Sequence, residues 1–190
     1  MSTFPDLYHY YERRKGPFLN LSDLPIAEAQ RVLDTLKAES TVMASQRYDG
    51  YLERRIELEQ LARRLFIDKG GKPKRVVPHT MTVGPCDWLE TWYEEPAHVR
   101  LPLSAFAPGT LSFTYGDLFP TFSPRVTDGR EYRRTIYTLE EISGIIEKYG
   151  LPQDWNNDGA FGPERYVEVQ VWDEGSIFSS GNAFETPHGL

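Results

Sequence analysis

Residues Tyr166-Val167-Glu168-Val169-Gln170-Val171-Trp172 constrain this chain more than any other stretch. Side chains alternate across a strand, so the three valines share one face and Tyr166, Glu168, Gln170 and Trp172 share the other. The valine face belongs to a core. The opposite face sets a carboxylate and an amide between two large aromatics. Aromatic neighbours desolvate a carboxylate and raise its pKa, which is one way to build an acid or base. The plainer alternative is a Glu that points into solvent. Glu168 is the first candidate for chemistry on either count.

The rest of the chain supplies partners for this strand. Residues 7–11 read as a short aromatic strand that Gly16-Pro17 ends. Ser22 or Asp23 caps a helix over 25–39, whose stripe is Ile26, Ala29, Val32, Leu33 and Leu36. Residues 41–45 read as a short strand and 48–69 as the longest helix, closed by Gly70-Gly71. Strands follow at 76–83, interrupted by Pro78, and at 99–103 and 111–115, with a helical turn at 88–93. Residues 119–134 read as a long loop or hairpin. Thr138 and Glu141 form a capping-box pattern that opens a helix to Tyr149. Residues 173–190 lack periodicity and read as a loosely held tail. The sum is a single α+β domain over 1–190, with its core at about 7–172 and no repeat or linker.

Composition removes several function classes. The net charge of −7 opposes nucleic acid as a general partner. The basic run between Arg63 and Arg75 reads as a solvated helix end. The single cysteine, Cys86, excludes an internal disulfide and multi-cysteine zinc sites. The four histidines lack helical metal spacing, so no metal is expected. The stretch 154–159 has acidic residues but not the calcium-loop spacing. No leader or membrane-length apolar run is visible, and a cytoplasmic location is the default expectation.

Other residues could carry chemistry. His9 lies on an aromatic strand, as a hydrogen-bonded core residue or as a ligand contact, and shares a face with Tyr11. Arg47, Arg54 and Arg55 could grip a pyrophosphate, or pair with nearby glutamates. Cys86 lacks a convincing base beyond His79. Asp117 and Asp128 are possible paired carboxylates, at a separation the sequence does not give.

In order, these pieces resemble the DNA-targeting ADP-ribosyltransferase toxins (DarT). The likeness rests on Leu7-Tyr8-His9, Glu53-Arg54-Arg55, Val77-Pro78-His79 through Pro85, the aromatic turn from Trp88 to Tyr93, and Tyr166-Val167-Glu168-Val169 at the family's catalytic Glu. The resemblance implies an ADP-ribosyltransferase-like split, bent β-sheet with flanking helices that grips NAD as substrate without a metal. Glu168 and Arg55 would be catalytic, with Arg54 or Arg47 as substitutes for Arg55 at the pyrophosphate. His9 would contact the adenosine ribose or the nicotinamide amide. Tyr11 replaces a family Thr and would either stack on nicotinamide or block it. The family implies a toxin or defence role and a cognate antidote protein. The acceptor is left open among nucleic acid, protein and small molecule. The competing readings are an aromatic-faced binding module without catalysis and a degenerate transferase fold that binds a nucleotide without turnover.

Overall fold

The computed structural model describes residues 4–39 and 47–178. The strand expected at 41–45 and the last part of the expected tail, 179–190, lie outside the described residues. The elements run β1 (Leu7–Glu12), α1 (Ile26–Glu39), α2 (Tyr51–Asp68), β2 (His79–Val83), α3 (Asp87–Glu90), β3 (Pro96–Leu101), β4 (Leu111–Tyr115), α4 (Leu118–Thr121), α5 (Leu139–Tyr149), α6 (Pro152–Trp155), β5 (Val167–Val171) and α7 (Gly175–Phe178). The fold is α+β. Its five strands form one open antiparallel sheet in the order β3-β1-β2-β5-β4.

Register follows burial. Val169 of β5 pairs with Met81 on one side and Phe113 on the other. Those residues, with Leu7, Val83, Leu101, Val167 and Val171, make one continuous core. Helix α5 covers this face, and its Ile142 is fully buried within the cluster. The capping box is present at its start: Glu141 N–H donates to Thr138 Oγ1 and Thr138 N–H donates to Glu141 Oε2. The other face of the sheet carries Thr82, Thr114, Glu168 and Gln170. Helix α2 lies over one end of it, packing Leu58, Ala62 and Phe66 around Trp172.

Strands β1 and β2 pair at only two positions, Leu7 with Val83 and Tyr8 with Thr82. Beyond them the His9 imidazole does the linking. Phe18 N–H donates to His9 Nε2 at 2.9 Å, so Nδ1 carries the hydrogen and donates to Thr80 O at 2.9 Å. Both ring nitrogens are thereby committed to backbone, and the ring stacks on Phe18 at 4.2 Å. Burial lowers the His9 pKa to about 4, with the bond to Thr80 working the other way.

The structure settles two expectations. Of the two alternatives for 119–134, the loop is the one formed: the segment continues from the short helix α4 as turns without strands, and Arg134 N–H returns to Thr121 O. The tail reading fails for residues 173–178. Lys74 Nζ bonds Asp173 Oδ2 at 2.7 Å and Ile177 is completely buried, which docks α7 on the body.

Phe113 has no exposed surface. Phe113→Ala should lower the unfolding free energy by about 3–5 kcal/mol. Val76→Thr, at a side chain 74% exposed, should stay within about 0.5 kcal/mol of wild type. Urea denaturation of the two variants checks both values.

Candidate functional site

Glu168 sits in the middle of β5, across from Thr82 and Thr114, and is only 3% exposed. Its Oε1 accepts from Gln170 Nε2 at 3.0 Å and its Oε2 from Leu118 N–H at 3.4 Å. Gln170 is itself held. Ser112 Oγ donates to Gln170 Oε1 at 2.7 Å, and Gln170 Nε2 also donates to Thr114 Oγ1 at 3.2 Å. Trp172 Nε1 donates to Ser112 Oγ at 2.9 Å and closes the row under α2. A row of polar side chains thus runs along a buried sheet face and ends at a carboxylate.

A second carboxylate stands beside that end. The chain leaves β4 through Gly116, whose φ of 110° suits glycine. Asp117 follows and caps α4: its Oδ1 accepts from Phe119 N–H at 2.7 Å. Its Oδ2 accepts from Tyr166 Oη at 3.1 Å. Burial, reinforced by the charge of Asp117, pushes Glu168 up to about 8. Burial also raises Asp117, against the bonds from Phe119 and Tyr166 and the positive charges of Arg55 and Arg47. Two neighbouring carboxyl groups in a desolvated site resist sharing two negative charges.

The arginines divide into distinct roles. Arg55 is tied into the protein: Nε donates to Ser22 Oγ and Glu59 Oε1, Nη1 to Tyr51 Oη and Nη2 to Asn20 Oδ1. These bonds use three of the five guanidinium N–H groups among the described residues. Arg54 points elsewhere, to Glu57 and to the carbonyl of Phe122. Arg47 is half-buried and stacks on the Tyr51 ring at 4.4 Å. Among the described residues it has no carboxylate partner. Tyr51 itself stacks on Phe119 at 5.1 Å, which ties α2 to α4. Tyr93 completes the lining, donating from Oη to Tyr10 O at 3.0 Å within reach of both Arg47 and Arg55.

The register corrects the placement of two candidates. Tyr8 pairs with Thr82, which pairs with Glu168, so Tyr8 and Tyr10 share the Glu168 face. His9 and Tyr11 lie on the opposite face. His9 has no free nitrogen for a ribose or an amide, and Tyr11 packs against the main core. The structure brings together Glu168, Arg55 and Arg47, and leaves Arg54, His9 and Tyr11 outside. Asp117 joins the site without Asp128, which is bound to Arg133 through both carboxylate oxygens. Cys86 is buried beside Tyr10 and Tyr166, where burial raises its pKa, while His79 lies on the other sheet face.

Among the described residues, no group of three or more His, Cys, Asp or Glu is placed to hold a metal ion, and no helix is long and apolar enough to cross a membrane. No protein-family model, curated protein or solved structure matches the chain.

The two raised carboxyl groups make stability depend on pH. A folded pKa above the unfolded value of 4.5 means that the fold holds the proton more tightly. That contribution is complete below about pH 4.5 and is lost as pH rises through about 8. The buried histidines have an unfolded pKa of 6.5 and are neutral in both folded and unfolded states only from about pH 7.5 upward. Between about pH 7.5 and 8.5 the wild-type melting temperature should therefore fall. The slope should be shallower in Glu168→Gln, and thermal melts across that interval test it.

Proposed function

We propose that the protein transfers ADP-ribose from NAD to an acceptor, with Glu168 as the carboxylate at the reacting carbon. The observation that carries this reading is a buried, raised carboxylate beside Asp117, whose charge is felt by a half-buried arginine, Arg47, that has no ion-pair partner among the described residues. The limited pairing of β1 with β2 also suits a sheet that divides near its centre.

The residues fit NAD by chemistry. Arg47, without an ion-pair partner among the described residues, offers its guanidinium to a pyrophosphate, and Arg55 adds N–H groups from a fixed position. Arg55 acts as a positioning residue as well, since it pins the 20–22 turn to α2. The ring of Tyr93 supplies flat apolar surface, and Tyr8 and Tyr10 replace His9 and Tyr11 as the β1 residues on that face.

The reaction asks for little more. The C1′–N bond to nicotinamide breaks and its electron pair leaves with nicotinamide, which departs neutral. The ribose becomes oxocarbenium-like, and an ionised Glu168 stabilises it. The acceptor attacks C1′, and its proton passes to Glu168 and then to solvent. Glu168 must be ionised for both tasks, and the charge of Asp117 opposes that ionisation.

The kinetic consequence is directional. kcat/KM for nicotinamide release, with cell lysate as mixed acceptor, should rise with pH through about 8. Asp117→Asn should move the midpoint to lower pH by removing the neighbouring charge. Glu168→Gln should cut release by about 100-fold or more while remaining folded. Full activity in Glu168→Gln would sink the assignment. No release from wild type, with no thermal shift on adding NAD, would point instead to an aromatic-faced binding module.

A further inference from the structure

A hollow lies beside the Tyr115 end of β4, away from Glu168. It measures about 520 Å³, within the range of small-molecule sites. Tyr132, Tyr149, Trp155 and Phe161 provide its aromatic lining, and Arg130 stands among them. None of Arg47, Arg55, Asp117 and Glu168 contributes to it.

The hollow is built on buried polar side chains. Arg133 lies beneath it and pairs with Asp128 and with Glu164, which is buried. Asn156 holds the neighbouring turn by donating to the carbonyls of Gly162 and Glu164 and accepting from Phe161 N–H. Trp155 is fixed by a 3.3 Å bond from Nε1 to Tyr115 Oη. Tyr132 differs from these neighbours. Its ring is buried, with the residue only 3% exposed, while its hydroxyl makes no hydrogen bond to a described residue and is not among the sealed-in unpartnered polar atoms, so it faces the hollow that the residue lines. Phe161, by contrast, leaves 73% of its surface uncovered.

Charge decides what fits. Arg133 already lies 5.0 Å from the Tyr132 ring and Lys148 lies 5.0 Å from the Tyr149 ring. The protein's own cations take the positions that a cationic ligand would seek. Asp128 and Glu164 are answered by Arg133. Arg130 and Arg134 have no carboxylate partner among the described residues, and both line an adjoining hollow of about 390 Å³. The combination is aromatic surface, one unpartnered phenol and unpaired guanidinium groups at the rim, on a chain of net charge −7.

We infer that this hollow is a ligand site for a nucleoside monophosphate or a small molecule of the same make, a flat heteroaromatic ring that carries a negative group. The ring packs among Trp155, Phe161 and Tyr149, and the Tyr132 hydroxyl bonds a ring nitrogen. The phosphate meets Arg130, with Arg134 beyond it. The inference stands independently of any chemistry at Glu168.

Calorimetric titration of the full chain with adenosine monophosphate, adenosine and ribose 5-phosphate tests it. Adenosine monophosphate should bind, adenosine more weakly and ribose 5-phosphate not detectably. Tyr132→Phe should weaken adenosine monophosphate by about tenfold. Arg130→Ala should bring its affinity down to that of adenosine and leave adenosine unchanged. Arg47→Ala, beside Glu168, separates the two locations: binding kept in this variant and weakened in Arg130→Ala places the ligand in the hollow. No binding of adenosine monophosphate at millimolar concentration would overturn the inference. Equal binding of ribose 5-phosphate would reduce the hollow to a plain anion patch. Binding lost in Arg47→Ala but kept in Tyr132→Phe and Arg130→Ala would assign the ligand to the Glu168 cleft instead.

Discussion

The polar row from Trp172 through Ser112 and Gln170 to Glu168 is the interaction on which the structure depends. A sheet face covered by a helix would ordinarily be apolar, and leaving one buried polar group unpaired costs about 1–3 kcal/mol. Here each member satisfies the next. At the Trp172 end the row is structural, locked beneath Leu58, Ala62 and Phe66. At the Glu168 end it delivers a carboxylate whose orientation is set by Gln170 and by the first N–H of α4. Fold and site are two ends of one hydrogen-bonded line.

The arginines show the same division of labour. Arg55 and Glu59 form a partly buried pair that Ser22, Asn20 and Tyr51 complete. Breaking one partner of such a pair strands the other charge and is strongly destabilising. Arg55 is thus a structural rivet. Arg47 rests on the ring of Tyr51 and has no carboxylate partner among the described residues. Tyr51 serves both, bonding one guanidinium through its hydroxyl and carrying the other on its face.

Much of this was legible in the sequence for identifiable reasons. The alternation of β5 assigned the valines to the core and put Glu168 with Gln170 and Trp172, because one face is wholly aliphatic. The capping box at Thr138 and the glycines after α2 marked helix ends in the same direct way. Strand β1 resisted. Leu7-Tyr8-His9-Tyr10-Tyr11-Glu12 carries aromatics on both faces, so its pattern does not say which face meets Glu168. Only pairing with β2 resolves it, and the answer exchanges His9 and Tyr11 for Tyr8 and Tyr10. Asp117 was visible only as a possible partner for Asp128. Its true neighbour depends on the corner at Gly116, a long-range placement with no local signature. The docking of α7 escaped notice because one buried residue, Ile177, is too little for a periodic signal.

The strand order carries a consequence for how the chain is made. The strand that completes the sheet, β5, is the last to be synthesised, and it lies between β2 and β4. Until it emerges from the ribosome, β2 and β4 have nothing to join them, and the Ser112 and Thr114 hydroxyls lack the Gln170 amide they bond. Strand β1 can pair with β2 and β3 earlier, so one half of the sheet can form while the other waits. Contacts so distant in sequence close slowly. A nascent chain halted before residue 167 would expose two unpaired edges and a half-built core, the kind of surface that chaperones hold.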